Sequence, residues 1–212
     1  MNNYEKNYES LRLWLADLEL NASASYERLG LDPPRDSQLH IELLRRQYAI
    51  DTTGVWDLGG DGHEDINCRS VLIYYVTQGG ACEPAYRFQQ LHGFAQGLLH
   101  DSSTFARSSA AQLGDSYASV ESFTQAMTAL GATPVPAGRA QGGADQTWRL
   151  LVLPKIPFEF RYYHADEEFP STINIFIDKN ALTFLPFETL AVLTGCIRKE
   201  LEHRSVLCRG EL

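Results

Sequence analysis

Apolar residues at Tyr4, Tyr8, Leu11, Leu15 and Leu18 recur at alternating spacings of four and three, the stripe of an amphipathic helix. A short second helix over 23–29 is closed by Gly30, at the position where helices turn left-handed. Asp32-Pro33-Pro34 forbids its extension. Between 38 and 57 the pattern changes. Leu39, Ile41 and Leu43, then Tyr48, Ile50 and Val55-Trp56, predict one or two strands, although Leu43-Leu44-Arg45-Arg46 also suits a helix. The Gly-rich stretch 59–65 predicts a loop, with Glu64 or Asp65 capping a helix over 66–78. Val71, Leu72, Tyr75 and Val76 form the inner side of that helix, and Gly79-Gly80 stops it.

Residues 81–101 are irregular, with a short strand predicted at 86–89. Two helices follow, over 104–114 and 119–130; the second carries Val120, Phe123, Met127 and Leu130 at helical spacing and ends at Gly131. Residues 133–143 are rich in Pro, Gly and Ala and predict a surface loop. The last third is the most regular. A strand over 147–153 is followed by Ile156, Phe158, Phe160 and Tyr162 alternating with Pro157, Glu159, Arg161 and Tyr163, which predicts a strand with one apolar face. A third strand over 172–178 buries Ile173, Ile175 and Ile177. Short links punctuated by Pro154 and Pro170 make an antiparallel meander. Pro186 opens a final helix with Leu190, Leu193, Ile197 and Leu201 as its core stripe. The expected class is α+β: helices packed on an antiparallel sheet that contains a C-terminal three-stranded meander, closed by a C-terminal helix. The expected organisation is a single domain over 1–212, with a helical annex at 1–35 and the meander and terminal helix at 145–205.

Composition narrows the function classes. Of 212 residues, 44% are hydrophobic and 21% charged, which excludes wholesale disorder. The net charge of -9 is spread along the chain, so no basic face for nucleic acid or an anionic membrane is implied. No apolar run approaches the ~20 residues of a membrane span. The opening Met1-Asn2-Asn3-Tyr4-Glu5-Lys6 lacks the features of a signal peptide. A cytoplasmic protein is expected, with Cys68, Cys82, Cys196 and Cys208 as free thiols.

Several motifs occur in a fixed order: Gly143-Ala144-Asp145, Leu153-Pro154-Lys155-Ile156-Pro157, Asp166-Glu167-Glu168-Phe169-Pro170, Ile175-Phe176-Ile177-Asp178, Leu185-Pro186 and Glu188-Thr189-Leu190-Ala191-Val192-Leu193. The set resembles an uncharacterised prokaryotic family, domain of unknown function 3786, found mostly in anaerobic bacteria and archaea. The resemblance covers residues 69–201 and is best from 145 onward. It implies no assigned activity and no catalytic residues. Some relatives join this domain to an iron–sulfur module of the kind found in corrinoid proteins, but the scattered cysteines here make no Cys-x-x-Cys. Two departures stand out. Ala144 separates a Gly and an Asp that are usually adjacent in the family, and Tyr163-His164 stands where a Trp is common.

Motif by motif, most chemistries are disfavoured. The pairs His63 with Cys68 and His203 with Cys208 are isolated, short of the converging ligands that zinc or iron–sulfur sites need. His63-Glu64 is not followed by a second histidine at metalloprotease spacing, and there is no Walker loop, nucleophile elbow or dinucleotide fingerprint. Asp57, Asp61 and Gly62 match part of a calcium loop, but Gly59 and Cys68 occupy positions where that loop needs ligands. The densest chemistry is His164-Ala165-Asp166-Glu167-Glu168. In extended chain His164, Asp166 and Glu168 share a face, where adjacent carboxylates raise one another's pKa and, with an imidazole, can hold a divalent ion. The plainer reading is a solvated turn between strands. Asp145 and Asp178 complete the candidate ligand or metal contacts, each with a plainer role as turn residue or cap; no resident metal is expected. The expected function is a non-catalytic binding or accessory module for a small molecule, a cofactor or a partner protein. A purely structural interaction domain ranks second. A carboxylate-based or metal-assisted enzyme using residues 166–168 is the catalytic alternative. Cofactor identity and oligomeric state are left open.

Overall fold

In the computed structural model, residues 3–20, 22–94, 113–117, 119–136 and 143–209 are described. They form an α+β structure that divides into two compact units: Met1–Pro84 with Val152–Ile156 and Asn180–Ile197, and Ala85–Leu151 with Pro157–Lys179 and Arg198–Leu212.

The first unit begins with helix α1 (Asn3–Arg12), which tightens into a 3₁₀ turn over Leu13–Asp17. Tyr8, Leu11 and Leu15 of the apolar stripe are buried and Leu18 half-buried, but the α-helix ends at Arg12 and Leu15 lies in the 3₁₀ turn. Helix α2 (Ser23–Glu27) follows, with Gly30 at φ +71° beyond it. Residues 38–60 are three strands rather than one or two: β1 (Leu39–Leu43), β2 (Arg46–Ile50) and β3 (Val55–Gly60) pair antiparallel in chain order. Leu44 and Arg45 make the first turn, at φ +53° and +67°. That conformation matches the twist of a two-residue hairpin and excludes a helix there. Alternation decides the matter, since Leu39, Ile41 and Leu43 are buried while His40 and Glu42 are exposed.

The glycines at 59–62 do more than make a loop. Gly59 and Gly60 end β3, and a Cβ on Gly60 or Gly62 would lie 2.3 Å from Arg45 O or 2.0 Å from Leu44 O respectively. Only glycine admits the hairpin turn at this distance. Helix α3 (Ile66–Gln78) is capped by the Asp65 carboxylate, which accepts from Asn67 N at 2.9 Å. α1 packs on α3. Tyr8 lays its hydroxyl on the β3 backbone, accepting from Val55 N at 3.2 Å and donating to Val55 O at 3.4 Å. The buried Tyr75 hydroxyl donates to Leu29 O at 2.8 Å and accepts from Lys155 N at 3.2 Å. Its burial raises the phenol pKa.

The second unit is built on a five-stranded antiparallel sheet. Its strands are β4 (Phe88–Gln89), β5 (Thr133–Pro134), β6 (Gln146–Leu153), β7 (Ile156–Tyr163) and β8 (Thr172–Asp178), in the order β4-β8-β7-β6-β5. The meander is thus present, and β4 and β5 extend it at both edges. β5 lies inside the segment expected to be loop. Helix α4 (Val120–Ala129) is capped by Ser119, and its Phe123 stacks on Tyr162 with ring centres 5.4 Å apart. Tyr117 donates from its hydroxyl to Leu201 O at 2.7 Å. The chain's closing helix is α5 (Phe187–Arg209), of which the residues up to Ile197 belong to the first unit and the rest to the second; Leu190, Leu193, Ile197 and Leu201 are all buried. Ile175 is only half-buried, unlike Ile173 and Ile177. The helix expected over 104–114 falls almost entirely outside the described residues, as does much of the loop at 133–143. Among the described residues no helix is long and apolar enough to cross a membrane.

Candidate functional site

Strand β7 was expected to have one apolar face and one polar face. Seven of its eight residues are buried, Glu159 and Arg161 among them. Strand pairing aligns Glu159 with Phe176, Arg161 with Asn174, and Phe88 with Asp178. Directly paired residues project to the same side of a sheet. The second face of this sheet therefore carries Glu159, Arg161, Asn174, Phe176, Asp178 and Phe88, with Arg149 reaching in from β6.

Burying charges is costly unless each finds partners. Here the Glu159 carboxylate, 4% exposed in its side chain, takes Arg161 Nε at 2.9 Å and Nη2 at 2.8 Å on Oε1, and Arg149 Nη2 at 3.1 Å on Oε2. Arg161 is covered by Phe176, with 3.9 Å between its guanidinium carbon and the ring centre. Arg149 lies against two rings, at 4.9 Å from Phe88 and 5.3 Å from Tyr86. Cations favour aromatic faces because of the ring quadrupole. Arg149 is the accessible member, 33% exposed in its side chain against 7% for Arg161. Around it the surface is apolar: Tyr86 is 57% exposed and Leu151, two residues along β6, 56%. Tyr86 also holds φ at +50°, a conformation rare for a bulky residue and enriched at functional positions.

The residues singled out from sequence fall into three places. Asp145 and His164 meet: the Asp145 carboxylate accepts from His164 N at 2.7 Å, and Asp145 N donates to Tyr162 O at 3.0 Å. The His164 ring stands edge-on to Tyr162 with centres 5.1 Å apart. Asp166 and Glu168 lie in the adjoining turn, exposed like His164 and Glu167. Asp166 Oδ1 accepts from Glu168 N and Phe169 N, both at 2.8 Å, and Asp166 N donates to Phe169 O at 2.9 Å. That side-chain turn bends the chain, so the extended geometry that would align His164, Asp166 and Glu168 is not adopted. Asp178 is apart from these and fully buried on the charged face, where its Oδ1 accepts from Ala85 N at 3.1 Å. Among the described residues no three His, Cys, Asp or Glu side chains come together as metal ligands. Cys68, Cys82 and Cys196 form no disulfide; the Cys208 side chain lies outside the described residues.

Sequence reasoning passed over Arg149, Glu159 and Arg161. The available signal was Glu159-x-Arg161: opposite charges two apart in an aromatic strand share a face and can pair there. In the first unit, the partial calcium-loop match also resolves into ion pairs. Burial pushes the Asp57 carboxyl up, but the hydrogen bond from Arg46, the Gly59 N–H and the Arg46 charge outweigh it and hold it below the usual range. Arg46 Nη1 reaches the Asp57 oxygens at 2.7 and 2.9 Å and its Nη2 donates to Gly62 O at 2.9 Å.

The model of one family, Domain of unknown function (DUF3786), matches residues 21–200. The chain belongs to the DUF3786 family. The match starts well before the region expected from the C-terminal motifs, taking in α2 and the β1–β3 sheet. Every residue of the charged face lies within the DUF3786 span. Searches of curated proteins and of solved structures give no match.

Proposed function

We propose that the chain is a non-catalytic binding domain, and that its ligand is a small molecule with a carboxylate or phosphate group, engaged by Arg149. The supporting observation is the state of that guanidinium. One amino group is committed to Glu159, Nε is buried without a hydrogen-bond partner among the described residues, and a third of the side chain is open to solvent. Arg161 is the opposite case, doubly bound to Glu159 and roofed by Phe176. Arg161 thus fixes Glu159, Glu159 fixes Arg149, and Arg149 keeps donors for an anion in the planar geometry that guanidinium groups recognise. Exposed Tyr86 and Leu151 supply apolar contact beside the charge.

Calorimetric titration with inorganic phosphate, citrate and benzoate tests the reading. Saturable binding of at least one is expected, with Arg149→Gln weakening it by about tenfold or more, the loss of a charge-assisted pair. Tyr86→Ser, at an exposed position, is expected to weaken benzoate selectively. No saturable binding to the wild type, or unchanged binding in a folded Arg149→Gln variant, overturns the proposal.

A further inference from the structure

The first unit contains a surface cavity, open to solvent, of about 300 Å³, at the small end of the range for ligand sites. Three charges of mixed sign line it: Asp17 at the end of the 3₁₀ turn, Glu19 just beyond, and Arg28 after α2. Among the described residues none of the three makes an ion pair, although both signs face one space. Arg28 Nη2 donates to Val76 O at 2.9 Å, while Nη1 is buried with no partner. Burial lowers the guanidinium pKa, with the Tyr75 phenol partly opposing it. The remaining wall is suited to an organic ligand. Trp14 is 40% exposed and set edge-to-face on Tyr74 at 5.1 Å. Thr77 donates to Ile73 O at 2.7 Å, which leaves its oxygen free to accept, and Ser25 adds a second hydroxyl.

We propose that this cavity binds a small zwitterion of the α-amino-acid class. Its carboxylate pairs with Arg28, its ammonium sits by Asp17 and Glu19, and its side chain lies along Trp14. A plain anion answers Arg28 alone and is opposed by the two carboxylates, and a plain cation answers the carboxylates alone and leaves Arg28 without a counter-charge. A molecule with both charges a few ångströms apart is attracted at both ends and supplies the cavity cation with its missing counter-charge. Arg149 is not among the residues that line it.

The test is calorimetric titration of the full chain with L-alanine, L-leucine, L-glutamate and L-lysine, against propionate and propylamine as single-charge probes. At least one amino acid is expected to bind saturably, and both single-charge probes about tenfold more weakly or not at all. Because Arg28 also supports the backbone at Val76, the decisive variants are Asp17→Asn and Glu19→Gln at exposed positions. These are expected to weaken amino-acid binding with the melting temperature unchanged. Arg149→Gln is expected to leave it intact, which separates this site from the anion site. Absence of binding by all four amino acids, propionate binding as tightly as L-alanine, or undiminished affinity in the Asp17→Asn/Glu19→Gln double variant overturns the proposal.

Discussion

The guanidinium carbon of Arg161 lies 3.9 Å from the centre of the Phe176 ring, while its nitrogens grip Glu159 on the neighbouring side. Each of the three groups limits the others' access to water. Removing one charge of such a set leaves the remainder buried and uncompensated, so Glu159→Gln is expected to cost about 3–5 kcal/mol. Replacing Glu159 and Arg161 together by Leu is expected to cost less than Glu159→Leu alone, because no buried charge is then stranded. Urea denaturation of the variants checks both. A cost below about 1 kcal/mol for Glu159→Gln would place the pair in solvent.

Gly62 meets the Leu44 carbonyl where a side chain would begin. Both partners are backbone, so neither yields by a rotamer change. Gly62→Ala is expected to destabilise the fold by about 1–3 kcal/mol through overpacking. Gly143→Ala serves as a reference for backbone strain without steric conflict, since Gly143 has φ +68° and nothing within 4 Å of an added Cβ. Thermal melts of the two variants should separate by several degrees.

Asp51 anchors the β2–β3 turn. Burial pushes its carboxyl up, but hydrogen bonds from the Thr53 hydroxyl, Gln38, the Thr53 N–H and the Trp56 indole overcome this and bring it down to about 2. A carboxylate depressed in the folded state contributes stability that is present above its unfolded pKa and lost as pH falls toward the folded value. Asp51→Asn is therefore expected to cost about 1 kcal/mol at pH 6 after allowance for solvent screening. That cost should shrink as pH falls from about 4 to about 2, the interval between the unfolded and folded values. A cost independent of pH across that interval would show that the carboxylate is not held down by these donors.

The exposed turn at 166–168 is the test of carboxylate chemistry. Asp166 works through one oxygen accepting two backbone donors, a role Asn preserves. Asp166→Asn and Glu168→Gln are each expected to change stability by less than about 0.5 kcal/mol. Millimolar Mg²⁺, Mn²⁺ or Ca²⁺ is expected to leave the melting temperature unmoved. A metal-dependent rise that disappears in these two variants and persists in Glu167→Gln would establish a cation site there.

Local chemistry carried much of the architecture. The stripe on α5, the Asp65 cap, Gly30 and Gly131 at helix ends, and the alternation of residue types in β7 and β8 are each decided by neighbours within a few residues. These features are legible because backbone geometry and periodicity are local properties of the chain. The turn at Leu44-Arg45 was not, because its φ values are imposed by pairing of β1 with β2 and neither residue type announces them. The polar side of β7 shows the same division more sharply. Alternation correctly put Glu159 and Arg161 on a common face, but a charged face defaults to solvent until the partners that bury it are known. Phe176, Arg149 and Phe88 come from three other strands, and only strand order and register bring them there. The acidic run at 166–168 is the converse, dense in chemistry by sequence and turned outward by a single side-chain hydrogen-bonding pattern at Asp166. Charge density is written in the sequence; whether a charge is desolvated, and against what, is a property of residues far apart in the chain and is settled only when the sheet is assembled.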